Sequence, residues 1–521
     1  MATLAVPLAG GKSVASQLKT NTLNLFDSTV IATSSVAPAY SIAATAGLLV
    51  AAVGFASPAA ILVSFFPVVF IALAYYYLNS KDPNCGASYA WISRTLSPYL
   101  GWMSGWVQVA ANILFCGAAP LLAGANTLAL LNNIFPGQIS ATAAGDTRLI
   151  AVVGVAWLAF VTVIVVRGIR LTANFQWVMV AIEYLVVVGF AVAAFVKLAT
   201  AHVHGSTNVS GSWFNPFSLQ GVDGLAAGAV LGVFFFWGWD TAANVNEETK
   251  DATKSPGRAG IISMFILLFI FLLTASAMQA YLPQHTLINQ GGQALFFFAS
   301  SLAPHPLDYL MVLAVLSSTV AVVQTTLLPS SRLTFSMARD GVFPKVFGHI
   351  HPTWKTPWAG TLISALIAGV FIAMTTLNSS INTTFANIIS NIGVLVAFYY
   401  GVTGIACAWA FRKVVFKSAR VFVFAGVLPL LGGLFLFWIA YQVVKQAGIG
   451  SSLPVLVTIG IGIPLLLATW YFNRTGFFQQ KLVAYTNVGG ELIAAPAGEP
   501  SAELVGSAQQ VPDLVVPADR R

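Results

Sequence analysis

The chain has 521 residues, 57% of them hydrophobic and only 8% charged, with a formal net charge of +8. A soluble domain carries about 25% charged residues, so these few charges cannot coat a globule of this length, and lipid has to solvate much of the surface. The basic balance raises nucleic-acid binding, which the placement of the charges excludes below. Cys85, Cys116 and Cys407 lie too far apart for a CxxC metal site or a disulfide framework.

Residues 1–24 contain no apolar run of signal-peptide type and read as a cytoplasmic segment, leaving the first span as the insertion signal. Gly10-Gly-Lys-Ser13 resembles the end of a phosphate loop, but Val6 stands where the earlier glycine is needed, so an ATP-driven process is not expected. Apolar stretches long enough to cross about 30 Å of hydrocarbon as helix then recur about twelve times. They fall near 27–50, 57–79, 97–131, 148–166, 173–196 and 221–246, then 259–282, 307–337, 358–377, 384–410, 422–444 and 453–472.

With the N-terminus inside, all of the 24 Lys and Arg except Arg148, Lys197 and Lys445 fall on the inner side. This is the positive-inside pattern, and it accounts for the net charge without nucleic acid. An even number of spans returns the C-terminus to the cytoplasm. The expected fold is therefore an all-α polytopic membrane protein with about twelve transmembrane helices, in the cell membrane, both termini cytoplasmic. Its membrane domain covers 25–475, and 476–521, rich in Ala, Pro, Gly and polar residues, is expected to be a disordered tail.

Two spans carry interruptions. In the first, Pro38 sits mid-span among Ser34, Ser35, Ala37, Ala39 and Tyr40. A proline removes a backbone donor, and small neighbours admit close approach; a simple kink and a true break both fit. In the sixth, the apolar run Leu225–Trp239 is too short to cross, so the span has to continue through Asp240, Thr241 and Asn244. Polar backbone at that depth is tolerated only where protein or a wet cavity covers it; the alternative places Asp240 among the headgroups. The two interruptions lie five spans apart, which predicts inverted repeats, about 25–197 and about 221–411, with peripheral helices at 422–472. Half-helix N-termini there would offer unpaired N–H groups to a substrate anion, while Asp240 would face a cation.

Glu183 is the charged residue placed near the middle of a span. An intramembrane carboxylate is a functional candidate by default, and proton coupling is the role expected of it. A permanently protonated, hydrogen-bonded glutamic acid and direct binding of a cationic substrate are the alternatives. The six histidines fall in loops. Ser317, Ser318 and Thr319 of the eighth span are either ion ligands or small packing residues. No HExxH, GxSxG or clustered His/Cys site is present, so neither an enzyme nor a cofactor or metal site is expected.

Three segments carry a family resemblance: Asn84-Cys-Gly-Ala-Ser-Tyr-Ala-Trp-Ile-Ser-Arg94 with Leu100-Gly-Trp-Met-Ser-Gly-Trp106, then Phe236-Trp-Gly-Trp-Asp240 with Glu247, Glu248 and Arg258, then Ser331-Arg-Leu-Thr-Phe-Ser-Met-Ala-Arg-Asp-Gly-Val-Phe-Pro344. In this order they resemble the amino acid–polyamine–organocation permease superfamily over about residues 20–475. The resemblance implies a leucine-transporter-type fold of ten core helices in two inverted repeats plus two peripheral ones. It implies a substrate site at Ser34 to Tyr40, where Ala-Pro-Ala replaces the usual Gly-Ser-Gly. Phe234 would be an aromatic gate, and Gly238, Trp239 and Asp240 would lie near the substrate's distal end. Some members hold a lysine at the position of Glu183, standing in for sodium; glutamate reverses that charge. The polyamine-importing branch is similar in the sixth-helix motif.

The expected function is import of an amino acid or related amine by alternating access, with proton coupling. A putrescine-type importer, an obligatory exchanger and a non-transporting sensor are the alternatives. The expected partners are a small-molecule substrate, protons and the lipid bilayer.

Overall fold

The computed structural model describes residues 18–135, 145–219, 221–375, 381–473, 475–488 and 491–496. Most of the N-terminal segment, including Gly10–Ser13, and the tail from 497 onward lie outside the described residues. Helices dominate, as expected of an all-α polytopic membrane protein. Nine apolar helical segments among the described residues are long enough to cross a membrane, and the shorter apolar helices Gly224–Phe235 and Trp358–Met374 add to them. The first segment, Leu25–Lys81, runs 57 residues and turns at Gly54–Ala56, so it contains two spans. The helices therefore follow the twelve apolar stretches of the sequence.

The first span begins at a capping box: Asn24 Oδ1 accepts from the Asp27 N–H at 2.8 Å, and Asp27 Oδ2 accepts from the Asn24 N–H at 3.1 Å. It stops at Val36. Ala37 adopts a left-handed conformation, φ +51°, and a new helix, Pro38–Val53, starts with Pro38 in its first turn. A first-turn proline lacks an N–H that would be unpaired there anyway, so Pro38 starts a helix rather than bending one. The interruption is a break.

The third span, Pro98–Ile134, has 37 residues, about 55 Å of helix, so it tilts or overhangs the hydrocarbon. Beside it packs the eighth span, Tyr309–Arg339, buried along most of its length and also touching the fifth span, Ile169–Thr200, and the first. The tenth, Ile381–Ala410, lies against the third and the peripheral pair Ala419–Gln446 and Ser452–Phe472. The last of these is the most exposed of the spans.

Charge collects at one end of the bundle. Arg332 and Glu248 form a fully buried pair at 2.9 Å, joined by Arg339–Glu247 at 2.9 Å, Arg94–Asp82 at 2.5 Å and Arg170–Asp27 at 2.8 Å. Asn246 donates to Asn79 Oδ1 at 2.8 Å, tying the sixth-span exit to the second span.

One expectation fails in the tail. Val483–Val488 and Glu491–Pro496 pair as an antiparallel hairpin where disorder was expected from 476 onward. Its inner residues are buried: the Tyr485 ring lies 4.8 Å from that of Phe411. Just before it, Phe477 stacks on Tyr89 and Gln480 donates to the Ser93 carbonyl. Apolar burial against the charged end of the bundle overrides a composition that reads as disordered.

Candidate functional site

The two broken helices meet. After Gly221–Phe235 the sixth span leaves the helix, and only a short helical turn, Thr241–Asn244, follows. Gly238 sits between them at φ +116°, and a β-carbon there would lie 2.4 Å from the Ser35 carbonyl oxygen. Glycine alone allows that backbone conformation and that approach. Aromatic rings extend the junction: Phe115 meets Tyr40 edge-on at 5.9 Å and Trp237 edge-on at 5.3 Å.

Asp240 emerges from this junction into the protein interior. It is 4% exposed. Tyr400 donates to its Oδ1 at 2.8 Å; Gln108, Tyr399 and Tyr75 donate to Oδ2 at 3.2, 3.3 and 3.5 Å. Trp237 holds Tyr399 through a 2.9 Å hydrogen bond, and Tyr75 also bonds Ser88. No ion pair reaches Asp240 among the described residues, whereas the buried Asp27 and Glu248 each hold an arginine. A small cavity, with room for about one water molecule, opens beside the carboxylate. Ser35, Gly238 and Asp240 border it from the breaks, Gln108 and Asn112 from the third span, and Thr325 and Thr326 from the eighth. Gln108 Oε1 and Asn112 Nδ2 are buried there without a hydrogen-bond partner.

Glu183 occupies the other side of the first break. Its Oε1 accepts from the Ala39 N–H and from the Ser318 hydroxyl, each at 2.7 Å, and Ser318 accepts from the Tyr40 N–H at 3.2 Å. The sequence reading left these first-turn N–H groups open for a substrate anion. The structure corrects it: the chain's own carboxylate and Ser318 take them. The neighbours Ser317 and Thr319 bond back to the Ala314 and Val315 carbonyls of their own helix. Glu183 Oε2 is buried with no partner.

Of the residues singled out from sequence, Ser35, Gly238 and Asp240 border the cavity. Ala37, Pro38, Ala39 and Tyr40 form the break beside it, and the Ser34 hydroxyl bonds back to Ile31 at 3.1 Å. Trp239 lies against Tyr75 at 4.9 Å. Phe234 is buried in the last turn before the sixth break, and Trp237, not Phe234, borders the cavity.

A model of the family described as amino acid permease matches residues 23–464. The chain belongs to the amino acid permease family. This permease is 28% identical over 355 residues to the low-affinity putrescine importer of Escherichia coli (strain K12), covering 66% of this chain and 71% of the relative. It is 24% identical to the methylthioribose transporter of Bacillus subtilis (strain 168), over 71% of this chain and 77% of the relative. A third relative, the branched-chain amino acid permease of Lactococcus lactis subsp. cremoris (strain MG1363), is 24% identical over 75% of this chain and 83% of its own length.

The permease's site also contains residues that sequence reasoning missed. Gln108 and Asn112 are polar at i and i+4 in an apolar span, which places them on one helix face; that spacing was the available signal. Tyr75, Tyr399 and Tyr400 carried none, because a tyrosine in a membrane helix is unremarkable until its hydroxyl has a partner.

Proposed function

We infer that this permease imports an amine-bearing substrate across the cell membrane by alternating access, with both termini in the cytoplasm. Asp240 is the counter-ion for the substrate's ammonium group, and Glu183 binds the coupled proton. One observation carries the reading: Asp240 is buried beside a cavity at the junction of the two broken helices, with four hydrogen-bond donors and no basic partner among the described residues. A buried carboxylate without a cation is costly, so the site favours an arriving ammonium. Gln108 Oε1 adds an unpaired acceptor next to it. The ion pairs that close the charged end would have to part for release, and the junction of the breaks would be the pivot.

Glu183 supports the coupling role by position. It joins the first break to the eighth span through Ala39 and Ser318, so a change in its protonation acts on the element that has to move. Phe234, two residues before the break in the sixth span, is the proposed gate residue together with Trp237.

A second reading is favoured by a specific observation. The first-turn N–H groups of Pro38–Val53 are taken by Glu183 and Ser318, which removes the obvious seat for a substrate carboxylate. A carboxylate-free amine fits two buried acids better than a zwitterion does, in keeping with the relative described as a putrescine importer. The test is uptake into proteoliposomes of labelled neutral and cationic amino acids beside putrescine, with and without an inward proton gradient. Gradient-driven uptake of an amine-bearing compound is expected, with putrescine competing against it. Uptake restricted to compounds lacking an amine would overturn the reading.

A further inference from the structure

Below Glu183 the interface of the fifth and eighth spans is polar where nothing in the substrate site requires it. Gln176 lies two helical turns from Glu183 on the fifth span, about 10 Å toward the charged end by helix rise. Its side chain is fully buried, and its Nε2 donates to the Ala321 carbonyl at 3.2 Å and to Gln324 Oε1. Gln324, also fully buried, faces it from the eighth span, six residues past Ser318 in the same direction. Two glutamines paired in a membrane interior still leave atoms over. Gln176 Oε1, Gln324 Nε2 and Glu183 Oε2 are all buried without a hydrogen-bond partner. Simple helix packing gives no reason for three such atoms, each of which is destabilising if left dry. Buried polar atoms of this kind are the usual seats of internal water.

An ion pair lies beyond the glutamines, toward the charged end. Arg170, at the start of the fifth span, pairs with Asp27 at 2.8 Å, and Trp177, next to Gln176, donates to the other Asp27 oxygen at 3.0 Å. Glu183 and Tyr184 are the titratable groups at the buried, midspan end, and Asp27 and Arg170 those at the charged end. Arg170 is half exposed, so this end lies at the protein surface.

We propose that the facing sides of the fifth and eighth spans form a hydrated proton route from Glu183 to the charged end of the bundle, with Gln176 and Gln324 as its water-holding constriction. The proposal rests on the reading of Glu183 as the proton site. The proton leaves Glu183 Oε2 for a water, whose own proton passes to the next water between the glutamines. The chain ends with hydronium in the aqueous phase, and Glu183 remains a carboxylate held by Ala39 and Ser318. The glutamine amides orient these waters and do not themselves change protonation state. The route separates the proton's exit from the substrate's, which leaves from the Asp240 cavity on the other side of the first break.

The experiment compares Gln176→Leu and Gln324→Leu with the unaltered protein in proteoliposomes, measuring proton-gradient-driven uptake and, separately, substrate counterflow without a gradient. Putrescine and a cationic amino acid serve as probes. Net uptake is expected to slow about tenfold, one decade of barrier, with counterflow and binding affinity unchanged. Gln324→Asn, which keeps the amide, restores most of the rate. Equal loss of uptake and counterflow would mean a merely structural role and would overturn the proposal, as would unchanged net uptake. If the leucine variants fail to fold, Gln176→Met supplies an apolar side chain of similar length for the same comparison. A wild-type protein whose uptake ignores the gradient would defeat the reading of Glu183 itself, an outcome distinct from loss in the variants alone.

Discussion

Replacing Asp240 by Asn tests the counter-ion directly, because it keeps the shape and removes the charge. In the native site Tyr400 at 2.8 Å makes the best hydrogen bond to the carboxylate, while Gln108, Tyr399 and Tyr75 at 3.2–3.5 Å contribute less. The asparagine oxygen can still accept from Tyr400, but its amide then faces donors. A hydrogen bond to a charged group contributes about 1.5–3 kcal/mol, so losing the ammonium–carboxylate contact weakens substrate binding about 10- to 150-fold. The fold responds differently. No arginine or lysine is left unpaired by the change, so the melting temperature is expected to hold, which separates a binding defect from misfolding. The assay is equilibrium binding of labelled substrate to detergent-purified protein, with thermal unfolding of the same samples. An Asp240→Asn protein that binds within about threefold of wild type, under 1 kcal/mol, would refute the counter-ion role.

Other expectations follow from the junction and the charged end. Gly238→Ala puts a β-carbon 2.4 Å from the Ser35 oxygen at φ +116°, so it should abolish uptake and lower the melting temperature; normal transport would show that the breaks need not touch. Arg332→Met leaves Glu248 buried and alone, a loss of about 3–5 kcal/mol measurable as thermal destabilisation, and the double change with Glu248→Met should recover much of it. A double variant no better than the single one would show that the pair is not the source of the loss.

Much of the architecture was legible from residue order because lipid imposes simple rules. Apolar run length marked the spans, Pro38 marked the first break, and the run Leu225–Trp239, too short to cross before Asp240, marked the second. What connects the breaks was not legible. Ala39 and Glu183 are 144 residues apart, and no local pattern announces that a glutamate will cap a half-helix from another span. The anion seat was therefore read as open when the chain fills it itself. The tyrosines around Asp240 escaped for the same reason. The hairpin did leave a trace: Gly489-Gly490 between two six-residue runs is a turn signal, but the surrounding Ala, Pro and Gly content read as disorder. Its burial against Phe411 decides the matter, and composition carries no information about that.

The measurement closest to the central claim is substrate accumulation by Glu183→Gln in proteoliposomes with an imposed proton gradient. One proton moving through about 150 mV contributes about 3.5 kcal/mol, enough for roughly 300-fold accumulation of a neutral substrate. Glutamine keeps the acceptor for Ala39 and Ser318 and cannot carry the proton. The account predicts that accumulation collapses to equilibration while binding and counterflow persist. Accumulation by Glu183→Gln equal to that of wild type would contradict it.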